Sequence, residues 1–135
     1  MDCEYVIDTY AWIEYFKGTT VGQVAKHYLE GNSSATPSIV ILELERSLLR
    51  DIAEGNETKD GARKKTEYVK SVSTIIDLTY ESSIKAAQTD QEMRKKIKNW
   101  GMADSIVLAT ARNLNAKVVT GDEHFRGLAD AVLIK

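Results

Sequence analysis

Short apolar runs alternate with longer stretches of helical spacing along this 135-residue chain. The apolar runs predict strands at residues 4–8, 75–78, 117–120 and 131–134. Helical spacing and helix-ending residues predict helices at 10–16, 21–29, 39–53, 58–73, 80–96 and 102–114. Gly18 and Gly31-Asn32 are the predicted ends of the first two helices. Thr36-Pro37-Ser38 offers caps and a helix-starting proline for the third.

Strands separated by helices predict an α/β fold in which helices cover both faces of a mostly parallel sheet. The length suits one domain, and because no linker, repeat or low-complexity tract interrupts the pattern, we assign residues 1–135 to it. In sheets of this kind, ligands bind beyond the carboxyl ends of the strands. That rule directs attention to Asp8 and to Thr120-Gly121-Asp122.

Composition narrows the cellular setting. The single cysteine, Cys3, cannot form an internal disulfide, which fits a reducing cytoplasm. No apolar run approaches the ~20 residues that span a bilayer. Met1-Asp2-Cys3-Glu4 places acids where a signal peptide carries positive charge. We therefore expect a cytoplasmic protein that neither enters a membrane nor is exported.

The net charge of −2 gives no sign of the basic excess that nucleic-acid-binding proteins usually carry. Local basic clusters exist at Arg63-Lys64-Lys65 and at Arg94-Lys95-Lys96, with Lys98 beyond it. They are candidates for contact with a phosphate backbone, but runs of charge on helices are more often solvated faces. Charge alone therefore neither supports nor excludes nucleic-acid binding.

Four acids adjoin apolar runs rather than polar surroundings. Asp8 ends the first strand, Asp122 follows the strand 117–120 by two residues, and Glu43 interrupts the apolar start of the third helix. Asp104 has helical spacing to Val107, on the core side of its helix. An isolated buried carboxylate is costly, and a divalent cation such as Mg²⁺ or Mn²⁺ offers one reason for all four.

Each acid also has a simpler interpretation. Asp8 and Asp104 are each placed to cap the helix that follows, which stabilises a helix by about 1 kcal/mol. Asp122 suits a turn after Gly121. Glu43 becomes a surface residue if the helical phase is misassigned. These alternatives stay open for each acid singly, but together they explain the set less well than a shared cation.

The four segments that carry these acids resemble those of PIN domains, in particular the VapC toxins of prokaryotic toxin–antitoxin pairs. The matching segments are Val6-Ile7-Asp8-Thr9, residues 37–44, residues 101–109 and residues 118–125. Order, spacing and total length match, so the resemblance covers essentially the whole chain. The family more often has a small apolar residue where Ser105 stands, and smaller residues are frequent where Tyr10 stands.

The resemblance implies a five-stranded parallel sheet and a metal-dependent endoribonuclease. It implies that Mg²⁺ or Mn²⁺ is held at one end of the sheet, where metal-activated water hydrolyses RNA phosphodiesters. The implied metal-binding and catalytic residues are Asp8, Glu43, Asp104 and Asp122, with Thr9, Thr120 and Ser105 as supporting residues. A housekeeping RNA-processing nuclease and a non-catalytic interaction module with the same fold are the alternatives.

The implied partners are an RNA substrate, a VapB-like antitoxin and a second copy of the chain. Trp12, Tyr15 and Phe16 cluster at helical spacing beside the predicted site. We expect part of this region, with the helix around Leu48-Leu49, to bind an antitoxin segment, and the later helices to form a homodimer.

Other chemistries find little support. His27 and His124 are the chain's two histidines, so a paired-histidine ribonuclease is disfavoured, and one cysteine disfavours zinc. His124 lies two residues from Asp122. It is either an exposed loop residue or a residue that contacts the substrate, and the sequence leaves both interpretations open. No phosphate-loop or nucleophile-elbow motif occurs. A phosphoacceptor signalling domain would have an aspartate directly after a central strand. Asp77 is predicted inside a strand rather than after it, which weakens that alternative.

Overall fold

The computed structural model describes residues 3–31 and 33–135, so the predictions made on Met1, Asp2 and Asn32 lie outside the described residues. The elements, in chain order, are β1 (Tyr5–Ile7), α1 (Thr9–Lys17), α2 (Thr20–Leu29), β2 (Ser34–Pro37), α3 (Ser38–Ala53), α4 (Lys59–Val72), β3 (Thr74–Ile76), α5 (Tyr80–Arg94), α6 (Met102–Asn113), β4 (Lys117–Thr120) and β5 (Ala131–Leu133). All predicted helices form within two residues of their predicted bounds.

The five strands form one sheet in the order β3-β2-β1-β4-β5, and every pair is parallel. The α/β class and the five-stranded parallel sheet are therefore confirmed. Val6 and Ile7 point to opposite faces of the sheet because side chains alternate along a strand, and both are fully buried. Helices thus cover both faces. The chain passes from β1 to β2 on one side and later to β4 on the other, so the strand order reverses beside β1.

The prediction for Thr36-Pro37 is wrong. These residues end strand β2 rather than begin a helix, and Pro37 occupies the N-cap of α3. The segment Ser-Ala-Thr-Pro contains no apolar run, yet β1 and β3 pair with it on both sides. The buried Thr36 hydroxyl accepts the Trp12 indole N–H at 3.1 Å and lies 2.7 Å from the Ser73 hydroxyl. Tertiary pairing, not local preference, makes this strand.

The prediction that Asp77 lies inside a strand is also wrong, because β3 ends at Ile76 and Asp77 follows it. This position still does not support a phosphoacceptor signalling domain, which would place its aspartate after a central strand. β3 is an edge strand, two positions away from β1, and Asp77 is exposed.

The residues expected at a partner surface divide between core and surface. Trp12 and Leu48 are buried, and Tyr15 and Phe16 are half-buried against the core. Leu49 is exposed over 57% of its surface. In the part of the chain that the structure describes, no helix combines the length and apolar character needed to cross a membrane.

Candidate metal centre

Asp8 and Asp122 come together because the strands that precede them are neighbours. In the parallel pair β1–β4, Ile7 lies opposite Val119, and the Asp8 backbone N–H donates to the Val119 carbonyl at 3.3 Å. Both acids therefore follow the carboxyl ends of adjacent strands, beside the point where the strand order reverses. Asp8 and Asp122 thus lie at the carboxyl edge of the sheet, where the sequence pattern directed attention.

Asp8 is the most deeply buried acid of the group. Its side chain caps α1, where Oδ1 accepts the Ala11 backbone N–H at 3.1 Å. Its pKa is raised to about 7, chiefly by burial and to a smaller extent by the negative charges of Asp122 and Asp104, against hydrogen bonds from Thr120 and Ala11 that lower it. The capping interpretation thus describes a real contact. It does not explain why two other carboxylates approach a buried one.

Asp122 is held by the turn after β4. Its backbone N–H donates to Thr120 Oγ1 at 3.0 Å, and its Oδ1 accepts the His124 backbone N–H at 2.9 Å. Gly121 permits the close approach of the Tyr10 ring, since a Cβ there would lie 2.0 Å from a ring carbon. With the Tyr10 ring in this position, the turn has no room for a side chain at residue 121.

Asp104 is the third residue of α6, which begins at Met102. Its Oδ2 accepts the Gly101 backbone N–H at 3.2 Å and lies 3.2 Å from His124 Nδ1. A carboxylate in the first turn of a helix also lies at the positive end of the helix dipole. Both features fix the Asp104 side chain beside Asp122.

Glu43 approaches the site from α3, one turn after the helix begins. Thr9 Oγ1 donates to its Oε1 at 2.6 Å, which ties α3 to the start of α1. Glu43 is half-buried rather than fully exposed. Of the supporting residues, Thr9 therefore contacts Glu43, and Thr120 contacts both Asp8 and Asp122.

All four predicted acids line one open cleft of about 420 Å³. Lys135 lines the same cleft, but its ammonium lies 3.1 Å from Glu123 Oε1. Carboxylate oxygens that face one another across a cleft are the donor set that Mg²⁺ and Mn²⁺ prefer. Asp8 is buried and its pKa is raised, and a nearby cation would stabilise its ionised form. The residues present therefore fit a divalent cation.

Ser105 is not brought to this cleft. Its hydroxyl accepts the Trp100 indole N–H at 2.6 Å and donates to Asp90 Oδ1 at 2.9 Å. Trp100, which the sequence pattern did not single out, packs in turn beside the His124 ring, with centroids 6.2 Å apart. The Ser105 hydroxyl therefore touches no acid of the cleft and supports the residues around it, Trp100 and Gly101.

His124 lies closer to the acids than the sequence could establish. Donor atoms of Asp104, Asp122 and His124 all lie within 4.8 Å of one another, which makes these three a candidate metal-binding group. The only signal in the sequence was its position two residues after Asp122. His27, by contrast, is exposed on α2.

Several residues of the basic clusters form ion pairs with nearby acids. Arg63 pairs with Asp60 and Glu67, and Lys65 pairs with Glu57. Arg94 likewise pairs with Asp90. These contacts favour the solvated-face interpretation over an RNA-binding surface.

Comparison with known proteins agrees with this geometry. The family model of the PIN domain matches residues 5–131. No curated protein sequence matches the chain.

Several solved structures share the fold. A toxin–antitoxin complex from Klebsiella pneumoniae is 21% identical, covers 98% of both chains and has a TM-score of 0.73. VapBC2 from Rickettsia felis, bound to a DNA fragment from its promoter, is 21% identical over 96% of both chains with a TM-score of 0.71. VapBC-1 from Haemophilus influenzae is 15% identical, covering 96% of this chain and 97% of that chain, with a TM-score of 0.70.

These similarities confirm the resemblance to toxin–antitoxin proteins that the sequence motifs indicated. At such identities the solved structures establish the fold, whereas the family assignment rests on the match to nearly the whole sequence. The chain belongs to the PIN-domain family.

Proposed function

We propose that this protein is a metal-dependent endoribonuclease and the toxin of a VapBC-type toxin–antitoxin pair. The observation that carries the proposal is the cleft that gathers Asp8, Glu43, Asp104 and Asp122 beyond the carboxyl ends of the strands. Burying one carboxylate beside two others opposes folding, so an arrangement of this kind needs a reason outside the core. Holding a cation is that reason.

The side chains divide the work. Asp8, Asp104 and Asp122 would hold Mg²⁺ or Mn²⁺, and Glu43, fixed by Thr9, bounds the cleft from the opposite helix. When bound, such an ion supplies Lewis-acid catalysis and neutralises the negative charge that develops on a phosphodiester. Thr120 and the α1 N-terminus keep Asp8 oriented toward the cleft.

The toxin role draws on the fold neighbours, several of which are VapBC complexes. Leu42 and Leu49 are both exposed, and a seven-residue spacing puts them on one face of α3, the helix that carries Glu43. Ile41, Leu49 and Ile52 also line an apolar groove of about 530 Å³ between α3 and α4. An antitoxin segment seated in this groove would pack against α3, the helix that carries Glu43.

A second apolar surface suits a homodimer. Tyr80 and Ile84 on α5 and Met102 on α6 are exposed. An interface of this kind should bury on the order of 800 Å² per partner. Light scattering tests the dimer, and co-expression with the adjacent open reading frame tests the antitoxin. A monomer that captures no small partner and does not slow growth favours a housekeeping RNA-processing nuclease.

The nuclease proposal is tested with single-stranded RNA. Asp8→Asn, Glu43→Gln, Asp104→Asn and Asp122→Asn should each lower the cleavage rate about a hundredfold or more, because each removes a cation ligand or charge at the reacting phosphate. Chelator should silence the wild type.

Asp77→Asn is the matched control, since Asp77 also directly follows a strand of this sheet but is exposed outside the cleft. It should cleave as the wild type does. Full activity in a folded, contaminant-free Asp8→Asn protein would refute the proposed mechanism. An inactive wild type that binds cation and partner would favour the non-catalytic interaction module.

A further inference from the structure

The imidazole of His124 faces the two more exposed acids of the site. Its Nδ1 lies 3.2 Å from Asp104 Oδ2 and 3.8 Å from Asp122 Oδ1. The three side chains are all partly accessible, with 31%, 22% and 39% of their surfaces exposed for His124, Asp104 and Asp122. A cation from solvent can therefore reach all three.

These separations match those of ligands around one ion. Two adjacent ligands of an octahedral ion with bonds of about 2.1 Å lie roughly 3.0 Å apart, and opposite ligands lie roughly 4.2 Å apart. The two distances from Nδ1 fall inside this interval. Little movement of the side chains is needed to close them on a cation.

Neighbouring contacts hold the imidazole in this orientation. The His124 backbone N–H binds Asp122 Oδ1, which couples its backbone to the acid it faces. Its ring packs beside Trp100, and the indole of Trp100 is fixed through Ser105 to Asp90. Ligands whose orientation is fixed before binding lose less conformational entropy when the ion arrives.

We propose that His124 is a direct ligand, through Nδ1, of the cation that Asp104 and Asp122 hold, and that it gives the site a preference for Mn²⁺ over Mg²⁺. The inference rests on the proposed metal site. The ligating tautomer carries its proton on Nε2, so the Nδ1 lone pair faces the ion. Mg²⁺ favours oxygen ligands and retains its water, whereas imidazole nitrogen suits first-row transition ions better.

Pulsed electron paramagnetic resonance of bound Mn²⁺ tests the inference directly, because a ligating imidazole imposes a ¹⁴N coupling on the metal signal. The protein is loaded with Mn²⁺ alone, as wild type, His124→Gln and His27→Gln. Since the chain has two histidines, His27→Gln is the matched control. The coupling should appear in the wild type and in His27→Gln and be absent from His124→Gln.

Calorimetry supplies the second readout. His124→Gln should weaken Mn²⁺ binding about tenfold and Mg²⁺ binding less than about threefold. Bound Mn²⁺ that depends on Asp8 but shows no ¹⁴N coupling in the wild type would overturn the His124 assignment and leave the nuclease proposal standing. Coupling that persists in His124→Gln would also overturn it. A wild type that binds neither ion would overturn both, and the wild-type spectrum decides even if the variant misfolds.

Discussion

The carboxyl edge of the sheet and the pocket beside α6 both bury polar side chains, but they meet the cost differently. Beside α6, the Trp100 indole, the Ser105 hydroxyl and the Asp90 carboxylate form a chain in which each donor has an acceptor. At the sheet edge, Asp8 is hydrogen-bonded, yet burial and two neighbouring acids hold its pKa near 7. The polar groups of the first region satisfy one another, whereas the second region gains stability when a cation binds or when the charge of Asp8 is removed.

Structural and functional polar groups in this fold differ in how their removal changes the free energy of unfolding. A structural group loses stability when it is removed, because its partners are left without hydrogen bonds. A functional carboxylate can gain stability when it is neutralised, because the fold has held its charge at a cost. Asp8→Asn and Ser105→Ala should therefore change the free energy of unfolding in opposite directions.

Asp8→Asn should give the largest change in stability, and in the direction of stabilisation. The pKa of Asp8 is about 7 in the folded protein, above its ordinary value of 3.8, so its stabilising contribution is present below pH 4 and is lost as the pH rises to 7. With chelator at pH 8, Asp8→Asn should therefore raise the free energy of unfolding by roughly 2–4 kcal/mol. The amide oxygen preserves the cap to Ala11.

Urea unfolding at pH 5 and pH 8 measures the effect. The gain should be smaller at pH 5, because Asp8 is then largely protonated in the wild type. Asp77→Asn is the control and should change little at either pH. A destabilised Asp8→Asn protein at pH 8 would mean that this carboxylate is structural after all.

Ser105→Ala should have the opposite sign and a somewhat smaller size. The buried Trp100 indole N–H loses its acceptor, which lowers the free energy of unfolding by about 1–3 kcal/mol. Ser71→Ala, at an exposed serine of α4 bonded to the local Tyr68 carbonyl, is the matched control and should stay within ~0.5 kcal/mol.

The stabilisation of Ser105→Ala by cations shows whether Ser105 belongs to the metal site. Because the Ser105 hydroxyl bonds Trp100 and Asp90 rather than the acids of the cleft, the stabilisation by Mg²⁺ should persist in this variant. A variant that keeps its stability but no longer responds to Mg²⁺ would place Ser105 in the metal site, as the family resemblance implied.

Much of this arrangement could be predicted from the sequence. Helices with glycine ends and apolar spacing were recognisable, and so was the convergence of Asp8 and Asp122, because parallel strands share their carboxyl edge. Strand β2 was not, since Ser34–Pro37 owes its conformation to pairing on both sides. The contacts of Ser105 and His124 were also out of reach, because Trp100 reaches both from a loop whose path no local pattern determines.

Thermal unfolding with and without Mg²⁺ or Mn²⁺ tests the central claim most directly, namely that the acids of the cleft form one cation site. Millimolar Mg²⁺ or Mn²⁺ should raise the Tm of the wild type and of Asp77→Asn by several degrees, consistent with about 1–3 kcal/mol of binding linkage. Asp8→Asn should lose most of this rise while starting from a higher Tm in chelator at pH 8. A wild-type Tm that is indifferent to both ions would mean that these acids do not form a cation site.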